Sequence, residues 1–271
     1  LADASADKRR REFFNDMKSR YQKIDDRLDE LRGWMDSNRG QVQDFASKFE
    51  MSYIYHENAI EGIVVTGPEL VAALSTMDEA TDSSLVPVYQ EIRTLKQGID
   101  FIRSCIANPE ARLSLEMAGH LNTLLNPAPE SQGYRKEPQL NHRSYLHEIA
   151  RPEDIPEKMT AFFDELDGAD FRELHPIDQA CHLHWELMRI FPYAERTGKL
   201  VRLLSNYLLK TRGYRTVIIH ATDRQRYYDA LRISEEYLRM LMVDAMTNSL
   251  DNEIQYFRSS RPVPQSNYRY R

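Results

Sequence analysis

The loop Phe191-Pro192-Tyr193-Ala194-Glu195-Arg196-Thr197-Gly198 precedes a run in which Leu200, Leu203, Leu204, Tyr207 and Leu208 recur at three-to-four spacing, the period of a helix with one apolar stripe. Pro192 ends the earlier stripe of Leu183, Leu187 and Ile190, because proline cannot donate the helical hydrogen bond. The loop therefore sits at a helix N-terminus, where free amides and the positive end of the helix dipole suit an anion. Gly198 lets a ligand approach the backbone closely. Lys199, Arg202 and Asn206, at i, i+3 and i+7, share one polar face of that helix. Arg196 and Thr197 complete a candidate phosphate site, and Glu195, the loop's only carboxylate, has the oxygen chemistry to hold a Mg²⁺ bridging phosphates. Spacing alone favours a plainer alternative, a capped helix with solvated lysine and arginine, since a Gly-Lys pair is a weak signal.

Other constellations carry less. His175, Asp178 and His182 fall on one helical face at i, i+3 and i+7 and have metal-ligand chemistry. His184 follows on the same helix, where a packed, hydrogen-bonded scaffold role is the simpler reading than a base. Tyr227 and Tyr228 either wall a nucleobase pocket or belong to the core. Cys105 and Cys181, the two cysteines, stand in apolar helical contexts and read as buried free thiols. No Ser-His-Asp order, Cys-x-x-Cys pair or Rossmann fingerprint is present.

These residues need elements to hold them. The 271-residue chain is 41% hydrophobic, enough for one main domain plus an additional helical element. Helical periodicity predicts a long N-terminal helix over 9–35, then helices over 41–60, 68–77, 88–107, 113–125, 156–166, 176–190, 197–212, 223–236 and 237–256. The Pro-, Asn- and Gly-rich stretch from Asn126 to Pro156 breaks the pattern, and its partial period-two alternation at "QLNHRSYLHEI" predicts a short hairpin. The expectation is an all-α protein with one hairpin, an N-terminal helical arm over 1–40 and an extended, basic, flexible tail over 259–271. The arm's plain reading is a packing or homodimer contact. A net charge of −6 gives no general attraction to nucleic acid or anionic membrane, and no apolar run reaches membrane-spanning length. No export signal is visible at the N-terminus, so the cytoplasm is the expected compartment.

"IFPYAERTGKLVRLLSNYLL" resembles the signature HPFx(D/E)GNGRxxR of Fic (Fido-fold) proteins. The resemblance continues through "YHENAIEGIVVT" at 55–66, "GYRK" at 133–136 and "RGYRTVIIHATDRQRYYDAL" at 212–231, in the family's order. It implies a helical Fic-like domain over 41–258, with an inhibitory-type helix over 52–62, a target-binding flap over 137–149 and the signature loop over 191–202. In the family a signature histidine deprotonates a hydroxyl of a target protein, which attacks the α-phosphate of ATP and takes up AMP. By position, Glu195 takes the Mg²⁺ role, Gly198 that of the last glycine, Lys199 that of the first arginine and Arg202 that of the second. Phe191 replaces the histidine, Arg196 the first glycine and Thr197 the asparagine. Phenylalanine cannot accept a proton, and loss of a general base costs about 10²–10⁴ in rate. His142 and His147 on the flap are candidate substitute bases, with solvated loop histidines the blander reading. Glu61 stands where the family's inhibitory glutamate pairs with the second arginine, and Glu57 where a serine or threonine is usual, so a Glu61–Arg202 pair is expected. Two functions follow. One is a divergent nucleotidyl transferase that binds ATP or another phosphorylated ligand, with an unknown protein target at the flap. The other is a catalytically inactive Fic pseudoenzyme that serves as a protein-interaction module.

Overall fold

A computed structural model describes residues 2–75, 83–138 and 147–259, with side chains from Asp16 onward. The described residues form eleven α-helices: α1 (Ala2–Ser37), α2 (Arg39–Ile60), α3 (Gly67–Leu74), α4 (Val86–Ala107), α5 (Leu115–Leu125), α6 (Ile155–Leu166), α7 (Ala169–Glu173), α8 (Pro176–Ile190), α9 (Thr197–Thr211), α10 (Arg224–Ile233) and α11 (Glu235–Ser259). The protein is all-α, and no strand occurs among the described residues. The hairpin expected over 137–149 falls mainly on 139–146, outside them, as do His142 and the tail beyond Ser259. The stretch expected to be one helix over 223–236 breaks at Ser234, whose extended backbone ends α10 before α11 begins.

The chain divides into two compact units, Leu1–Glu50 with Met246–Arg271, and Met51–Ala245. In the first, Arg27 pairs with Asp251 at 2.9 Å, and the Phe45 ring lies 4.9 Å from Tyr256 and 5.2 Å from Phe257, centroid to centroid. Aromatic clustering of this kind buries large apolar area at few positions.

The second unit holds the signature loop and is organised around α9, which packs most extensively against α8 and also against α4 and α5. Every residue of α9 from Thr197 to Leu209 is buried. An amphipathic helix normally keeps its polar face in water; here that face is enclosed as well, so each polar group on it must find a partner inside the protein. Gly98 of α4 permits the closeness: a Cβ there would stand 3.1–3.3 Å from Leu203, Leu121 and Leu125. At the entry to α3, Thr66 and Glu69 form a reciprocal capping box, ending the turn that follows the segment resembling an inhibitory helix.

Candidate functional site

Two residues of the signature loop have left-handed backbones. Phe191 (φ 48°) closes α8 and Arg196 (φ 55°) opens α9. This region favours glycine and costs other residues about 1–2 kcal/mol. The family signature has a glycine where Arg196 stands, and the geometry shows why a glycine suits the position. The arginine is held there by its head group: Nε donates to Glu91 Oε1 at 2.7 Å, Nη2 contacts the same oxygen, and Nη1 donates to Asn126 Oδ1 at 2.6 Å and to Glu195 Oε2 at 3.2 Å.

Glu91, on α4, also accepts from Lys199 Nζ at 2.8 Å, and Asn58 Oδ1 of α2 accepts from the same ammonium at 2.8 Å. Lys199 is 1% exposed, so these two contacts replace its water. Burial pushes the Glu91 carboxyl up, but hydrogen bonds from Arg196 and the charge of Lys199 outweigh it and hold it below the usual glutamate value.

Arg202 is gripped from α2. Nε donates to Glu57 Oε2 and Nη2 to Glu61 Oε1, both at 2.7 Å, while Nη1 reaches the Tyr227 hydroxyl at 3.4 Å. Glu57 lies in the last turn of α2 and Glu61 just past its end, four residues on, so the two carboxylates reach one guanidinium. Burial drives the Glu57 carboxyl upward, and Arg202 only partly offsets this. The expected Glu61–Arg202 pair is present, and Glu57 adds a second that sequence reasoning did not foresee.

The remaining candidates are braced within the protein. Thr197 Oγ1 donates to Tyr193 O at 2.9 Å and accepts from Tyr193 N at 3.2 Å, closing the loop on itself. Gly198 is buried within α9. Asn206 is turned away from the loop: its Oδ1 accepts from Val217 N at 2.8 Å and its Nδ2 donates to Val217 O at 3.2 Å, so it braces a backbone segment. The Phe191 ring is buried, and its carbonyl accepts from Arg135 Nε at 2.7 Å. His147 Nε2 lies 2.8 Å from Met188 O, which leaves that nitrogen engaged with backbone. His184 lies under the helix, 2.9 Å from the Tyr227 hydroxyl, and burial, with Arg202 and His147 nearby, lowers it to about 3. It is a neutral scaffold histidine, and the buried Tyr227 beside it is core.

The three residues at i, i+3 and i+7 at the start of α8 also find partners within the protein. His175 Nε2 meets the Tyr214 hydroxyl at 3.0 Å, Asp178 pairs with Arg239 at 2.7 Å and His182 Nε2 meets Glu165 at 3.0 Å. His182 Nδ1 also lies 3.5 Å from Glu235, which pairs with the same Arg239 at 3.1 Å, so Asp178 and His182 join one charged network while His175 turns to Tyr214; no group of three metal-ligating side chains suited to a metal ion occurs among the described residues. The Glu195 side chain is 61% exposed at the mouth of the loop, with Arg196 Nη1 3.2 Å from its Oε2.

Sequence reasoning missed Glu91, Asn58, Asn126 and Arg135. Glu91 left a trace: it stands three residues after Val88 and four before Leu95, inside the apolar lane of α4. A carboxylate in such a lane needs a buried counter-charge.

The described helices and the braced loop define an all-α Fido fold. It superposes on a Fic-1 fragment from C. elegans with a TM-score of 0.76 at 19% identity, covering 90% of this chain and 73% of that one. A Fic domain containing signaling protein from Bacteroides thetaiotaomicron gives 0.72 at 22% identity, covering 87% of this chain and 98% of that one. The family model described as Fic/DOC matches residues 112–209. A relative named Protein adenylyltransferase Fic from Nematostella vectensis is 30% identical over 181 residues, 66% of this chain and 42% of the relative. Another of that name from Aedes aegypti is 27% identical over 221 residues, 80% of this chain and 43% of the relative. The chain belongs to the Fic family. It spans less than half the length of these curated relatives.

Proposed function

We propose that this chain is a Fic protein that does not perform standard AMP transfer, and that it works as a protein-interaction module built on the Fic fold. The observation that carries this reading is the engagement of all three signature cations by glutamates of the chain itself, Arg196 and Lys199 by Glu91 and Arg202 by Glu57 and Glu61. Three positive groups meet three carboxylates, so an incoming triphosphate finds no uncommitted positive charge at these positions. It would have to displace the buried Glu57 and the partly exposed Glu61 and Glu91, and separating a buried pair such as Arg202–Glu57 costs several kcal/mol.

The base is missing too. Phe191 supplies none, His184 is neutral and enclosed, and His147 is engaged with the Met188 carbonyl. The relatives' name, protein adenylyltransferase, implies ATP as their substrate. Transfer of that activity to this chain requires both a proton acceptor and an open phosphate cradle. The flap segment, where family members lay a target by adding a strand, is the proposed contact for a protein partner.

One observation favours a second reading. Glu61 is 21% exposed on its side chain while Glu57 is 3% exposed, so the outer half of the clamp is reachable from solvent. In this reading a partner that draws Glu61 away admits a nucleotide, and the clamp acts as a gate. Incubating Phe191→His with labelled ATP, Mg²⁺ and cell extract separates the readings. No labelled protein is the expected result, because the cations remain engaged. Labelling by that single variant would overturn the closed-site reading.

A further inference from the structure

The C-terminal end of α9 borders a cleft of about 550 Å³ that involves no residue of the signature loop. Its floor is apolar: Leu166 of α6, Phe171 of α7, and Tyr207 and Leu208 of α9 are all buried side chains at its base. Its rim carries Arg112, Arg172 and Arg212 from three different segments, against one carboxylate, Asp167, which pairs with Arg172 at 3.1 Å. Arg112 is oriented by its own turn, its Nη1 donating to Pro109 O at 2.6 Å and to Ala111 O at 2.9 Å. Among the described residues no carboxylate pairs with Arg212.

We propose that this cleft is a second ligand site, for a small amphiphilic anion: a carboxylate or phosphate carried on an apolar body. The volume lies in the range of small-molecule pockets, which combine apolar walls with a few polar groups that fix orientation. Guanidinium forks match carboxylate and phosphate oxygens in paired geometry. Exposed arginines hold a bare anion weakly because water screens them, so the apolar floor must share in retention. A bare ion should not bind, and an uncharged apolar molecule should bind poorly for want of the rim contacts.

The test is two-dimensional NMR of the full chain titrated with phenylbutyrate and with phenyl phosphate, using acetate and inorganic phosphate as controls. The aromatic anions should move amide signals at Arg112, Phe171 and Arg212 in a saturable way, and the controls should not. The tighter of the two aromatic probes identifies the head group. Arg212→Glu, at an exposed position, should weaken binding by about tenfold or more, and Arg172→Glu provides a second rim variant on another element. Absence of saturable shifts with both aromatic probes overturns the proposal. So do equal shifts with the bare ions, or unchanged affinity in both rim variants.

Discussion

The two ends of α9 each gather three cationic side chains, and they treat them in opposite ways. At the N-terminal end Lys199 and Arg202 are buried and Arg196 is partly so, and each has a glutamate at hydrogen-bond distance. At the C-terminal end Arg112, Arg172 and Arg212 stand exposed at the rim of a cleft with one aspartate among them. The contrast follows from desolvation. A charge removed from water needs a counter-charge, whereas an exposed guanidinium is satisfied by solvent and remains open to a ligand. Sequence likeness marks the first end as the binding site of the family, yet the second end has the uncommitted charge.

The sharpest way to break this contrast is to remove a partner at each end. Arg202→Met strands Glu57 in the interior and should lower stability by about 3–5 kcal/mol, read as a shift in the urea midpoint. A loss as small as that of a surface substitution would show that the clamp is not buried in solution. Glu91→Gln leaves Lys199 and Arg196 with a neutral acceptor and should cost about 1–3 kcal/mol in the same measurement. Arg212→Ala, at the far end, should change stability by no more than about 0.5 kcal/mol.

Acid should loosen the enclosed end through its buried and partly buried titratable groups. His56 is held at about 4 by burial and by the neighbouring His220, and His184 at about 3, against an ordinary value of 6.5. The unfolded chain therefore binds more protons than the folded one as pH falls from 6.5 through these values, and stability should decline over that interval. Glu91 acts lower down. Its folded value is depressed below 4.5, so its contribution is present above 4.5 and is lost as pH falls through the folded value. Glu57, held up by burial, works in the opposite sense. Denaturation midpoints measured across this range should show a flatter upper limb in His56→Gln and a flatter lower limb in Glu91→Gln.

Much of the fold was legible because helical periodicity and proline stops are local signals. Pro192 marks the end of α8, and the stripe from Leu200 to Leu208 marks α9. The partner of Arg202 at Glu61 was legible through family resemblance. What could not be read was the enclosure of the polar face of α9. Lys199 and Asn206 look like solvent-facing residues by spacing, and only packing of α2 and α4 over them makes them interior. Glu91 is more than 100 residues from Lys199 in sequence, and no local pattern links the two. The partners of His175, Asp178 and His182 were illegible for the same reason: a shared helical face does not fix which neighbouring element each side chain meets.

The most direct test of the closed phosphate site is calorimetric titration of Mg²⁺-ATP into the natural chain and into a variant carrying Glu57→Ser, Glu61→Gly and Glu91→Gln together. The natural chain should give no binding heat, and saturable binding should appear once the glutamates are gone. Equal affinity in the two proteins would contradict a closed phosphate site, because the glutamates would then be no barrier to the nucleotide.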